Sequence, residues 1–193
     1  MSWLDQYRMD DTLCSFLAHH VPKVTEDVVW GNQMRLRLEA YRCQELPPLR
    51  YLTSARVIVL RDAAVLVQED RDSRHILPGG RLEENELPET ALRREIGEET
   101  GWSLGRVEVI GFMHFVHLDP KPLGYRYPYP SFLQLVYAAE AITYSPEVMI
   151  DDGYEVGSEL VPVADVRRLN LTPKELVYLD AALKVNGTTC HHG

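Results

Sequence analysis

Gly80-Arg-Leu-Glu-Glu-Asn-Glu86-Leu-Pro88-Glu-Thr-Ala-Leu-Arg-Arg94-Glu95-Ile96-Gly97-Glu98-Glu99-Thr100-Gly101-Trp102 is the stretch whose reading decides the fold. Proline suits the first turn of a helix and glycine suits a left-handed cap at its end, so the spacing predicts a helix over 88–100 closed by Gly101. On that helix Glu95, Glu98 and Glu99 fall at i, i+3 and i+4, which puts three carboxylates on one face within a turn. Like charges in that arrangement cost the helix about 0.2–0.5 kcal/mol per i,i+4 pair, and the negative end of the helix dipole adds to the cost. A bound divalent cation reverses the sign of that term, and clustered carboxylate oxygens suit Mg²⁺ or Mn²⁺ rather than a soft metal. Arg94, next to Glu95 and four residues before Glu98, is placed to orient a carboxylate through paired hydrogen bonds. The glycines at 79 and 80 permit close backbone approach, so that a loop carbonyl can reach a metal over the helix. Ala91, Leu92 and Ile96 are left to bury other parts of the helix.

Working outward, 56–60 and 63–68 read as short strands joined by Arg61-Asp62, with a third run at 75–77 ended by Pro78-Gly79-Gly80. Downstream, strands are predicted at 107–112, 132–139 and 160–163, and Thr172-Pro173 opens a last helix that Asn186-Gly187 ends. Trp3, Leu4, Tyr7, Leu13, Phe16 and Leu17 predict a first helix that stops before Pro22. The segment 28–41 fits a hairpin turned at Gly31-Asn32, through alternating Met34, Leu36, Leu38 and Ala40. It also fits a helix through Val29, Leu36, Ala40 and Cys43; the hairpin is the preferred reading. Strands mixed with a few helices imply an α/β or α+β sandwich around one sheet.

The central stretch resembles the Nudix box, Gly-x5-Glu-x7-Arg-Glu-U-x-Glu-Glu-x-Gly-U, where U is a bulky hydrophobic residue, and every fixed position matches. At an average usage of about 5–7% for each fixed residue, a chance match in a chain this long falls below about 10⁻⁶. Trp102 is the one departure, standing where the family more often has an aliphatic residue. The resemblance implies a Nudix-type α/β/α sandwich around a mixed β-sheet over 51–188, with an N-terminal extension at 1–50 and a short flexible tail at 189–193. It further implies water attack on phosphorus in a nucleoside diphosphate linked to another group, assisted by Mg²⁺ or Mn²⁺. Carried over by position, Glu98 and Glu99 are the main metal ligands, Glu95 a further ligand or the general base, and Arg94 its orienting partner. The carbonyl of Gly79 completes the coordination, while Gly80, Glu86 and Gly101 are structural. A carboxylate from a later loop often joins such sites, and Glu155 is the choice here, ahead of Glu159 and Glu140.

Composition sets the remaining bounds. In 193 residues, 29 acidic and 20 basic side chains give a net charge of -9, which opposes charge-driven binding to nucleic acid or an anionic membrane. No run approaches the roughly 20 apolar residues of a membrane span, because Arg56, Arg61 and Asp62 break the most apolar one. The start of the chain lacks a secretory pattern, and Cys14, Cys43 and Cys190 lack the spacings of a disulfide framework or a zinc site, so reduced thiols in a cytoplasmic protein are expected. The expected partner is a nucleotide-like small molecule, and the extension can pack on the sheet, close over substrate or build a homodimer. Substrate-binding residues are not assigned. Tyr125, Tyr127 and Tyr129, set among Pro120, Pro122, Pro128 and Pro130, suit either base stacking or a stiff loop. His114 and His117 read as structural, and His191-His192 beside Cys190 as a tail. A nucleotide or ADP-ribose sensor without turnover and a hydrolase of a non-nucleotide diphosphate are the competing functions.

Overall fold

A computed structural model describes residues 10–31, 33–71, 73–150, 153 and 155–189. Helix α1 (Asp11–Leu17) is capped by Asp10, whose carboxylate accepts from the Thr12 amide at 2.7 Å. Trp3, Leu4 and Tyr7, which belong to the helix predicted there, lie outside the described residues. The hairpin reading of 28–41 holds: β1 (Val24–Trp30) pairs antiparallel with β2 (Met34–Tyr41), and the turn uses positive φ at Gly31 and Gln33. Leu36, Leu38 and Ala40 are buried on one face while Arg35 and Arg37 point to solvent and pair with Asp119 and Asp27. A helix could not make that two-residue alternation pay in buried area, since its period is 3.6.

The hairpin does not stand apart from the rest. β2 pairs with β6 (Trp102–His117), so β1 and β2 extend the edge of a single mixed sheet. The sheet continues through β7 (Ser131–Tyr144), which runs antiparallel to β6 and parallel to β3 (Leu52–Arg61), then β4 (Ala64–Asp70) and the short β5 (Arg74–His75). β8 (Glu155–Pro162) pairs with β4 on its other side. β6 and β7 are longer than the sequence reading because register shifts at three places in their ladder, one beside Gly111, break the alternation on which that reading relies. β8 likewise starts earlier than expected, so Glu155 opens a strand opposite Asp70 rather than lying in a loop.

Alternation along β3 sends Ile58 and Leu60 to one face and Val57 and Val59 to the other, and both faces are covered. On one face Tyr178, Leu179 and Ala182 of α4 (Pro173–Thr189) pack against Leu38, Met113 and Val136. On the other, Leu92 and Ile96 of α2 (Pro88–Thr100) and Leu13 of α1 pack against Phe112 and Leu135. Leu92 and Ile96 are fully buried, and truncating either to alanine costs about 2–5 kcal/mol, enough to unseat the helix that carries the glutamates. A four-residue helix, α3 (Val163–Val166), links β8 to the last segment. The start of α4 follows its sequence signal: Glu175 reaches back to the Thr172 amide at 2.8 Å and also accepts from Ile76 at 3.0 Å. Its end does not, because the helix runs past Asn186-Gly187 to Thr189, a single late glycine costing only about 1 kcal/mol.

Among the described residues, no helix is long and apolar enough to cross a membrane. His114 and His117 are buried in the core, and burial pushes both imidazoles below the ordinary value of 6.5; at His114 this outweighs the carboxylate of Glu39 at 3.1 Å. The unfolded chain takes up protons near pH 6.5 that the folded chain refuses. The stability they support is therefore complete above about pH 6.5 and falls as pH drops from there toward the depressed folded values. Melting temperature measured from about pH 8 to 5.5 checks this, and a flat profile would contradict it.

Candidate active site

Pro88 occupies the first turn of α2, and the helix ends at Gly101 with φ 71°, where its amide donates to the Gly97 carbonyl at 3.0 Å. The segment after β7 closes the same end: the Ser145 amide donates to the Gly101 carbonyl at 2.7 Å and the Ile150 amide to the Glu98 carbonyl at 2.9 Å. These bonds satisfy carbonyls that a helix terminus leaves without partners, and they fix the turn that carries Glu98 and Glu99. Trp102, the unusual residue of the motif, packs in a tilted pair with Tyr144 at 5.2 Å beneath the Arg61 guanidinium, so its larger ring is absorbed by packing remote from the carboxylates.

Arg94 lies at the centre of the acidic face. Its guanidinium holds Glu86 through two bonds of 3.0 Å and approaches Glu95 at 3.0 Å and Glu98 at 3.3 Å, and it also donates to the Arg81 carbonyl at 3.2 Å. The Arg94 guanidinium holds the Glu86 carboxyl below its usual range, and Arg94 itself is raised. Glu86 in turn accepts from the Glu83 amide at 2.9 Å, so this ion pair ties the loop to the helix.

Glu99 faces a different set of partners. It is partly buried and accepts from Gln68 Nε2 of β4 at 3.2 Å and from the Gly79 amide at 3.3 Å. Burial raises its pKa, opposed by Gln68 and by the nearby Arg56. Gly79, expected to offer its carbonyl to a metal, here offers its amide to Glu99 while its carbonyl accepts from the Arg56 guanidinium. Its φ of 120° and the Ala55 carbonyl beside it leave no room for a side chain. The loop lies along β3 through the Val57 amide to Pro78 (3.1 Å) and the Ala55 amide to Gly80 (3.0 Å). A Cβ on Gly80 would lie only 2.2 Å from the Glu95 carboxylate carbon, so the glycine makes the space that Glu95 fills.

The oxygen donors fit a hard divalent cation. Glu95, Glu98 and Glu99 share one face, Glu99 carries an unfavourable buried charge that a cation would relieve, and Gln68 Oε1, buried beside it, has no hydrogen-bond partner among the described residues. Glu155 lies on the strand paired with β4, and its side chain is outside the described residues. Of the second choices, Glu159 forms an ion pair with Arg74, and Glu140 sits in β7 opposite Leu60.

The matching family model is the NUDIX domain, over residues 50–181. The chain belongs to the Nudix family. A MutT-like protein of Streptomyces ambofaciens is 45% identical over 64 residues, which is 33% of this chain and 40% of that relative. The match thus spans less than half the length of the curated relative. Among solved structures, a pyrophosphohydrolase of Bacillus subtilis superposes with a TM-score of 0.55 at 19% identity, covering 84% of this chain and 97% of the other. A NUDIX hydrolase from Nitrosomonas europaea gives 0.52 at 19% identity, covering 68% and 86%. These likenesses establish the Nudix sandwich as the fold.

Several residues of the site escaped the sequence reading. Gln68 and Arg56 were visible only as polar interruptions of apolar strands. Beyond Arg56 opens a cavity of about 620 Å³ lined by Trp30, Arg56, Arg81, Tyr125, Tyr127 and Phe132. Trp30, Phe115 and Phe132 form a cluster of parallel rings, with centres 5.2 Å (Trp30–Phe115), 4.9 Å (Phe115–Phe132) and 6.0 Å (Trp30–Phe132) apart, and Arg81 lies over the Tyr127 ring. Tyr125 and Tyr127 therefore face a cavity. Tyr129 packs on His117 and donates to the Asp119 carbonyl, as a loop-stiffening residue does.

Proposed function

We propose that this Nudix protein is a pyrophosphohydrolase that uses Mg²⁺ or Mn²⁺ to cleave a phosphoanhydride bond in a nucleotide-like substrate. The observation that carries the proposal is the adjacency of the carboxylate face to a cavity lined with rings and guanidinium groups. Glu99 bonds Gly79, Gly79 bonds Arg56, and Arg56 lines the cavity. Glu95, Glu98 and Glu99 are assigned to the metal, which when bound lowers the pKa of water and neutralises charge developing on phosphoryl oxygens. Arg94 holds Glu95 and Glu98 in place. Arg56 and Arg81 offer charge-assisted hydrogen bonds to phosphate, and Trp30 with the tyrosines offers stacking surface to a base or sugar. Water adds to phosphorus as the anhydride bond breaks, its proton passes to a carboxylate, and the leaving phosphate departs with the bond's electron pair.

The test is turnover of purified protein with Mg²⁺ or Mn²⁺ against nucleoside triphosphates, ADP-ribose, nucleotide sugars, dinucleoside polyphosphates, NADH, coenzyme A and non-nucleotide diphosphates. Release of phosphate-containing products from a nucleotide is the expected result. Silence across the nucleotides contradicts the proposal; ligand-induced stabilisation without turnover would identify a sensor instead. With a substrate in hand, Trp30→Ala is expected to raise KM about tenfold with little change in kcat, as loss of one stacking contact does. Glu155→Gln is expected to lower the rate by about 10²–10⁴ if Glu155 is the general base, and an unchanged rate assigns that role to Glu95.

A further inference from the structure

Away from the acidic helix, three donors of different chemistry meet where the end of α1 touches the exit of β2. His20 Nε2 lies 3.8 Å from Cys43 Sγ and 3.6 Å from Glu45 Oε2, and the three donor atoms all fall within 4.8 Å of one another. The imidazole is not loosely placed: its ring packs against Phe16 at 4.7 Å and Phe112 at 5.9 Å, and its amide donates to the Leu17 carbonyl at 3.0 Å. Cys43 is anchored by its amide to the Ile110 carbonyl at 3.3 Å, and its sulfur accepts from the Glu45 amide at 3.2 Å.

Two arrangements bring a thiol, an imidazole and a carboxylate together. In a nucleophilic relay the carboxylate bonds the ring nitrogen remote from the thiol, which sets the tautomer. Here sulfur and carboxylate oxygen both approach Nε2, so the atoms surround a point instead of forming a chain. A tetrahedral zinc ion with Zn–S of about 2.3 Å and Zn–N and Zn–O of about 2.0–2.1 Å holds sulfur and nitrogen about 3.6 Å apart, and nitrogen and oxygen about 3.4 Å apart. The observed separations are within a few tenths of an ångström of both.

We propose that His20, Cys43 and Glu45 form a second metal site, distinct from the glutamate face of α2 and suited to Zn²⁺, with water in the fourth position. Thiolate and imidazole select a borderline-soft ion over Mg²⁺, so the two sites take different metals. Binding displaces the Cys43 thiol proton to solvent and forms the sulfur–metal bond with the thiolate electron pair. The ion pins the turn after α1 to the chain leaving β2, and so fastens the N-terminal segment to the sheet.

The experiment uses the full chain, stripped with chelator, held in excess Mg²⁺ and titrated with Co²⁺ as a coloured substitute for zinc. A thiolate-to-cobalt absorption saturating at one equivalent and bleached by Zn²⁺ is expected, together with a rise in melting temperature of roughly 5–10 °C at about 100 times the dissociation constant. Cys43→Ser is expected to lose the band and Glu98→Gln to keep it. Glu45→Gln, whose side chain is 66% exposed and so can change without disturbing the fold, is expected to bind about ten- to a hundredfold more weakly. Absence of the band in the parent chain overturns the site. So does its persistence in Cys43→Ser, which would point to another cysteine, or undiminished affinity in Glu45→Gln.

Discussion

Glu99→Gln is expected to make the metal-free protein more stable and to remove its metal-dependent turnover. In the absence of a cation, Glu99 places a charge in a buried position beside Glu95, which is why its pKa is raised. Glutamine removes the charge, keeps an oxygen to accept from Gln68 and Gly79, and brings an amide that can donate to Gln68 Oε1, which has no partner among the described residues. Satisfying a buried acceptor is worth about 0.5–1.5 kcal/mol, or about 2–4 °C per kcal/mol in a chain of this size. Turnover moves the other way. Loss of a carboxylate that fixes the cation is expected to lower kcat/KM by about 10³ or more, equivalent to about 4 kcal/mol of transition-state stabilisation. Glu98→Gln should lose turnover similarly while leaving the fold intact, since its side chain is partly exposed. Thermal melts with and without Mn²⁺, set beside rates, separate the two effects. A variant that keeps both activity and the metal-induced shift would remove Glu99 from the ligand set.

Gly80→Ala is expected to lower turnover about a hundredfold, as misplacement of a reacting group by an ångström can do, while the protein still folds. The added Cβ falls on the Glu95 carboxylate, which must swing away from Arg94, whereas the backbone of Gly80 is not in the left-handed region and accepts alanine. A non-rotameric Glu95 adds only about 0.5–1.5 kcal/mol of strain. Gly79→Ala offers the contrast, because its φ of 120° and the Ala55 carbonyl oppose any side chain, and it is expected to damage folding itself. Comparing melting temperature and kcat/KM for the pair distinguishes a positioning effect from a structural one. Undiminished turnover in Gly80→Ala would show that Glu95 does not work from the position it occupies here.

The helix, its cap and its acidic face were legible because local rules govern them: proline at the first turn, glycine at the last and carboxylates at i, i+3 and i+4. The hairpin was legible for the same reason, once period two was preferred over 3.6. Strand ends at 102–106 and 113–117 were not: bulges interrupt the alternation of the first, and the second is buried on both faces, so its residues show no period of two. Gln68 carries no local signal either. A glutamine in a strand becomes part of the site only when β4 is laid beside α2, and Trp30 lines the cavity only when the hairpin joins the sheet through β2 and β6.

Trp30 also divides the molecule in a way that the motif conceals. The glutamates fall inside 50–181, the stretch shared with the Nudix family, but this wall of the cavity comes from a hairpin encoded before it. The lining is thus shared, Trp30 coming from before the family stretch and Arg56, Arg81, Tyr125, Tyr127 and Phe132 from within it. On the proposed function, exchange of residues 24–41 between homologues is expected to reshape one wall of the binding cavity while leaving the glutamate helix in place, so this edge ribbon is a part of the fit open to grafting.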